Sequence, residues 1–204
     1  VKTPLELGPD VVQRLLPHRR PFLMVDRVEA WEDGPTPTLW AARHVSSNEP
    51  VFEGHFPGLH LWPGVYTIEG LLQAGNLLHI LHVARETTRA EGHEPDLVFD
   101  ALRNLELGYR LQPGYQPALT ERFARLLGEA PDPISRGGLA GAVDVKLLQP
   151  VFAGQRLDYR VTLSRVVDHL HRFDVEASVS GRTVAKGTLT SSRGGLHLPT
   201  VRRP

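Results

Sequence analysis

Apolar and polar residues alternate through much of the last third of the chain. Leu157, Tyr159, Val161 and Leu163, then Phe173, Val175, Ala177 and Val179, recur at every second position, the period of a strand with one buried face. The pattern predicts long strands over 139–148, 155–167, 169–179 and 183–191, the last two joined by a tight turn at Gly181-Arg182. Two earlier strands are expected over 22–30 and 38–45, linked by Glu32-Asp33-Gly34-Pro35. A different period governs 64–89, a proline-free stretch introduced by Pro63. At about 100° per residue, Val65, Tyr66, Ile68, Leu71, Leu72, Leu77, Leu78, Leu81 and Val83 spread round nearly the whole circumference, which predicts a buried helix.

The rest of the chain is punctuation and short elements. Residues 10–16 read as a helix capped by Asp10 and stopped by Pro17. Residues 46–63, broken by HFPG and WPG, predict a loop. Residues 101–138 are less regular, with a short helix expected over 119–127, and the tail from Gly194 is expected to be loose. No Gly/Ser linker or long charge run divides the chain, so 1–204 is read as one α+β domain in which an antiparallel sheet wraps a central helix.

Composition narrows the function classes. Lys+Arg and Asp+Glu each number 23, a balance that argues against a broad phosphate-binding field, so no nucleic-acid partner is expected. The chain contains no cysteine, which removes disulfides, thiolate metal sites and a cysteine nucleophile together. No apolar run approaches the roughly 20 residues of a membrane span, and the start, VKTPLELGPD, lacks a secretory pattern. The expectation is a cytoplasmic protein without a membrane partner.

The chemistry concentrates in NEPVFEGHFPGLHLWPGVYTIEGLLQAG. Glu69, Gln73 and Asn76 fall at i, i+4 and i+7 and so share one face of an otherwise apolar helix. An unpaired buried carboxylate tends to take up a proton. His55 lies just upstream in a proline-bounded loop. A neutral imidazole and a protonated carboxyl can together remove one proton and deliver another, as an elimination of water requires. Gly64, in the first helical turn, offers an N–H without an intrahelical acceptor at the positive end of the helix dipole. Spacing alone leaves a second reading open, in which His55 and Glu69 are satisfied structurally. His79 with His82, and His169 with His171, are spaced as paired ligands, but neither pair has a third ligand nearby in sequence, so no metal is expected. No nucleotide-binding or serine-hydrolase motif occurs.

These blocks resemble the bacterial 3-hydroxyacyl-[acyl-carrier-protein] dehydratases of fatty acid synthesis. The resemblance is carried by LPHRRPFLMVDRV at 16–28, Asn48-Glu49-Pro50, Gly54-His55-Phe56-Pro57-Gly58, Pro63-Gly64-Val65 and Ile68-Glu69 with Gln73. It resumes more loosely at Gln149-Pro150-Val151-Phe152-Ala153-Gly154. It implies a hotdog fold, assembled as a dimer whose two sheets join, and dehydration of a (3R)-3-hydroxyacyl thioester to the trans-2-enoyl thioester without a cofactor. By the same resemblance His55 takes the C2 proton, Glu69 of the other subunit protonates the departing hydroxyl, and the Gly64 amide binds the thioester carbonyl. Gln73 supports the site; Phe56, Pro57, Gly58 and Trp62 are expected to contact substrate. The implied partner is acyl carrier protein, with His18, Arg19 and Arg20 as a candidate contact, in a homodimer, a higher oligomer or a heterodimer. Alternatives are a polyketide or polyene dehydratase, a non-catalytic or half-catalytic subunit of a heterodimeric dehydratase, and a thioesterase. Three features depart from the family pattern: His60 and Trp62 replace its usual proline and methionine, Gly70 replaces its usual alanine, and 101–138 is read as an insert.

Overall fold

A computed structural model describes residues 1–112 and 138–192. Its elements are β1 (Lys2–Leu7), α1 (Pro9–Leu15), β2 (Arg27–Glu32), β3 (Thr38–His44), a 3₁₀ turn (Pro50–Glu53), α2 (Gly64–Ala90), α3 (Leu97–Leu111), β4 (Leu139–Leu147), β5 (Arg156–Val167), β6 (Leu170–Val179) and β7 (Arg182–Ser192). The strands form one antiparallel sheet in the order β1-β2-β3-β5-β6-β7-β4. The alternation read in β5 and β6 is the inward set: Leu157, Tyr159, Val161, Phe173, Val175 and Ala177 are all buried. They close over α2, whose Leu71, Ala74, Leu77, Leu78 and Leu81 are at most 1% exposed. Helix and inner sheet face thus form one core, the two-layer solution that a single amphipathic sheet demands.

One glycine, Gly70, lets helix and sheet approach. A Cβ at Gly70 would overlap the Tyr159 hydroxyl, and one at Gly75 would touch the Phe173 ring. The departure at Gly70 is therefore the counterpart of a large residue on β5.

Several sequence expectations need correction. The first strand begins at Arg27, not at 22, because the backbone at Phe22 and Met24 is bonded to the Gln73 side chain instead of a neighbouring strand. The first helix starts at Pro9 with Gly8 as N-cap, so Asp10 lies inside its first turn and does not cap it. Helix α2 is not buried all round: Val65 is 66% and Val83 44% exposed. The segment 101–138 opens within a regular helix, α3, whose Val98, Phe99, Leu102 and Leu105 are buried at helical spacing. β1 was absent from the predicted elements, and Glu6 at φ 55 marks the irregularity in its register with β2. The helix expected over 119–127 and the tail from 194 lie outside the described residues. Among the described residues no helix is long and apolar enough to cross a membrane.

Candidate active site

The loop that carries His55 is built from local turns and held by the distant connection between β4 and β5. In Phe56-Pro57-Gly58-Leu59, the Leu59 N–H donates to the Phe56 carbonyl at 2.9 Å, and Gly58 has φ +81. That is the chemistry of a type II turn: proline supplies the first central residue and glycine the positive φ of the second. The loop then runs beside the segment between β4 and β5, where Trp62 N–H donates to Val151 O at 2.8 Å and Ala153 N–H to His60 O at 3.0 Å. The late Pro-Val-Phe-Ala-Gly turn therefore fixes the segment that leads into α2.

A pocket of about 410 Å³ opens here, lined by His55, Trp62, Gly64, Thr67, Leu147 and Val151 among others. His55 Nδ1 lies 2.8 Å from the Leu61 carbonyl. A carbonyl only accepts, so Nδ1 carries the hydrogen and the neutral ring presents Nε2 as its base. Phe56 stacks on the imidazole with centroids 4.3 Å apart and holds its plane. Gly64 is the first residue of α2, the N-cap is Pro63, and no side chain caps the helix or brings a carboxylate into its first turn. The first N–H groups thus keep their positive end open toward the pocket. Leu147 covers this point so closely that a Cβ on Gly64 would collide with it.

Glu69 lies elsewhere. It follows Gly64 by five residues, about 140° round the helix, and is not among the pocket's lining residues. Its Oε1 accepts from Gln73 Nε2 at 2.8 Å. Gln73 itself is fully buried: its Oε1 accepts the Met24 N–H at 2.7 Å, and its other N–H goes to the Phe22 carbonyl at 2.8 Å. These two backbone partners fix the amide orientation, so Gln73 can only donate to Glu69. Glu69 Oε1 is an acceptor in this arrangement, and a protonated Glu69 carries its hydrogen on Oε2.

Of the residues singled out in the sequence, His55, Gly64 and Trp62 come together at the pocket, whereas Glu69 and Gln73 form a separate pair. Phe56 reaches it only through His55, and Pro57 and Gly58 are exposed in the turn. Trp62 is 2% exposed and forms a wall, edge-on to Tyr66 and beneath the Arg43 guanidinium at 5.7 Å. Arg43, 1% exposed, is neutralised by Asp26 and Glu49. Sequence reasoning missed Thr67, Arg43 and the placement of His18. His18 is not a free surface group: its Nε2 stands 3.6 Å from Glu69 Oε1. Burial, opposed by the Glu69 charge and reinforced by Arg19, lowers its pKa and keeps it neutral. The histidine pairs also rearrange, since His79 and His171 meet edge-to-face at 4.4 Å. Among the described residues no group of three or more metal-ligating side chains forms.

Comparisons with known proteins identify the family and the fold. A family model described as a FabA-like domain matches residues 16–110, which takes in the first part of 101–138. The chain is 51% identical over 79 residues to the 3-hydroxyacyl-[acyl-carrier-protein] dehydratase FabZ of Nitratiruptor sp., covering 39% of this chain and 52% of that protein. It is 36% identical over 103 residues to the FabZ of Campylobacter curvus, covering 50% and 68% respectively. In several such comparisons the chain spans about half the length of the curated relatives it matches. Among solved structures, the dehydratase heterocomplex ApeI:P from Xenorhabdus doucetiae superimposes with a TM-score of 0.52 at 18% identity, covering 91% of each chain. The sheet wrapped round a long helix is the hotdog fold. With one relative matched at 36% identity over 68% of its length, the chain belongs to the FabZ 3-hydroxyacyl-[acyl-carrier-protein] dehydratase family.

Proposed function

We propose that the chain dehydrates a (3R)-3-hydroxyacyl thioester on acyl carrier protein, in a site completed by a second copy. The observation that carries this reading is the shared pocket of His55 and Gly64, with the imidazole held in the tautomer that leaves Nε2 free. The thioester carbonyl sits at the N-terminus of α2, where the Gly64 N–H and the helix dipole stabilise the enolate oxygen. His55 Nε2 takes the proton from C2. The C3–O bond then breaks as Glu69 Oε2 delivers a proton to the hydroxyl, which leaves as water; afterwards His55 loses its proton to solvent and Glu69 regains one. Stabilising the oxyanion is commonly the largest single contribution in such steps. The described lining of the pocket contains no carboxylate, while Glu69 waits with one oxygen held by Gln73 on another face. A second copy supplying Glu69 reconciles these two facts.

The test is mass spectrometry of the purified protein incubated with 3-hydroxyacyl and with enoyl carrier-protein thioesters. Loss or gain of water supports the reading, and His55→Ala and Glu69→Gln each lower the rate by about 10²–10⁴-fold. Release of free acid would point to thioester hydrolysis instead, and full turnover in both variants would remove these roles.

A further inference from the structure

We infer that His18 is a positioning residue for the general acid: its imidazole and the Gln73 amide both face Oε1 of Glu69, so the proton that Glu69 transfers stays on Oε2. The inference rests on the dehydration reading above and adds a residue to it.

The segment before β2 is shaped to bring an imidazole to this point. The Arg19 guanidinium gathers the carbonyls of Leu16, Pro17 and His18 at 3.0, 3.3 and 2.8 Å, and the Phe22 N–H closes a turn onto Arg19 O at 2.9 Å. The turn sets the Phe22 ring beside the imidazole, with centroids 6.1 Å apart. Gln73 ties the segment to α2 through Met24 N–H and Phe22 O and gives its remaining N–H to Glu69 Oε1. His18 Nε2 then stands 3.6 Å from the same oxygen. That is a few tenths of an ångström beyond hydrogen-bond length, and contacts of this kind tighten when substrate enters a site.

Oε1 already accepts from Gln73, so the ring nitrogen that faces it is best a donor, and neutral His18 carries its hydrogen on Nε2. The other nitrogen, Nδ1, is buried and has no hydrogen-bond partner among the described residues. For packing alone this is a poor choice, since an apolar side chain would fill the place without stranding a nitrogen. A residue that packing disfavours, set against the carboxylate of the reaction, is placed for the chemistry. Burial, although opposed by the Glu69 charge, keeps the ring neutral, so it serves as a hydrogen-bond donor and not as a counter-ion.

Two donors at Oε1 leave the hydrogen of the neutral carboxyl on Oε2. As Oε2–H gives its proton to the departing hydroxyl and the C3–O bond breaks, negative charge develops on Glu69 and is met at Oε1 by two N–H groups, both of which keep their hydrogens. Hydrogen bonds to a carboxylate are stronger than those to its acid, so His18 contributes in the step and not in substrate binding.

Three substitutions read this role. His18→Leu removes the donor, His18→Gln keeps an N–H at about the reach of Nε2, and His18→Asn keeps one only at the reach of Nδ1. With a 3-hydroxyacyl carrier-protein thioester, His18→Leu and His18→Asn should lower kcat about tenfold with KM within about twofold, and His18→Gln should recover most of kcat. A raised KM at unchanged kcat would make His18 a substrate contact, and unchanged kcat with a lower melting temperature would make it structural only; either overturns the inference.

Mixed dimers show which copy His18 serves. H18L/H55A combined with E69Q puts the change on the copy that supplies Glu69, and recovered activity should fall about tenfold below that of H55A combined with E69Q. H18L/E69Q combined with H55A puts it on the copy that supplies His55, and recovery should be complete. Equal loss from either copy overturns the inference. A wild-type protein that does not dehydrate removes the reaction and this role together, whereas dehydration undiminished in His18→Leu removes this role alone.

Discussion

Gln73→Leu removes a buried amide that bonds α2 to the backbone of the segment before β2. The residue is fully buried and makes three hydrogen bonds, to Met24 N–H, Phe22 O and Glu69 Oε1. Leucine fills nearly the same volume, so the change is electrostatic rather than a cavity. It strands the buried Met24 N–H without an acceptor and the partly buried Phe22 carbonyl without a donor. A buried backbone group left unmade costs about 1–3 kcal/mol, and the second group less because water reaches it, so the total is about 2–4 kcal/mol. In a domain of this size that lowers the melting temperature by roughly 5–15 °C. The assay is urea or thermal unfolding, with hydrogen exchange read at the Met24 amide. Expected are a lower midpoint and loss of protection at Met24 beyond the global change. Gln73→Glu separates the contributions, because it keeps an acceptor for Met24 but sets a second carboxyl against Glu69; its deficit should be smaller at pH 5 than at pH 8. A loss below about 0.5 kcal/mol in Gln73→Leu, with Met24 still protected, would refute the reasoning.

Three further outcomes follow from the same geometry. His18 is held neutral, mainly by burial, with a folded pKa below its ordinary 6.5; the unfolded chain then binds more protons, so stability is fully present above pH 6.5 and declines as the pH falls toward the folded value. His18→Asn should flatten that slope in unfolding measured between pH 7.5 and 5, and an unchanged slope would deny His18 the contribution. Gly70→Ala drives a methyl into the Tyr159 hydroxyl and should cost about 1–3 kcal/mol despite alanine's better helix propensity. Tyr159→Phe removes a buried hydroxyl that has no hydrogen-bond partner among the described residues; thermal melting should show stability unchanged or raised, and a loss above about 1 kcal/mol would mean that the hydroxyl is satisfied.

The long elements were legible because their period exceeds local noise. The four late strands and α2 were placed within about a residue of their observed ends. What failed was local pattern overridden by distant partners. Phe22 to Val25 is a short apolar run of the kind that forms strands, yet its backbone is used by a glutamine nearly fifty residues away. The helical spacing of Val98, Phe99, Leu102 and Leu105 is present in the sequence but straddles residue 101, where the pattern reads as turning irregular. For the site, the order of the blocks exposed His55, Gly64 and Glu69 as candidates. Spacing sets Gly64 and Glu69 about 140° apart on one helix, but it could not show which neighbours each would meet, nor that His18 stands beside Glu69. Those relations depend on how α2 is rotated against the sheet.

Subunit mixing tests the central claim most directly. Purified His55→Ala and Glu69→Gln proteins, each inactive alone, are combined, exchange of subunits is verified, and dehydration of a 3-hydroxyacyl carrier-protein thioester is followed. If each site draws His55 from one copy and Glu69 from the other, half of a random mixture is mixed dimer with one intact site in two, and activity returns to about a quarter of wild type. Activity that stays at the level of the separate variants after verified exchange would contradict a site shared between two copies.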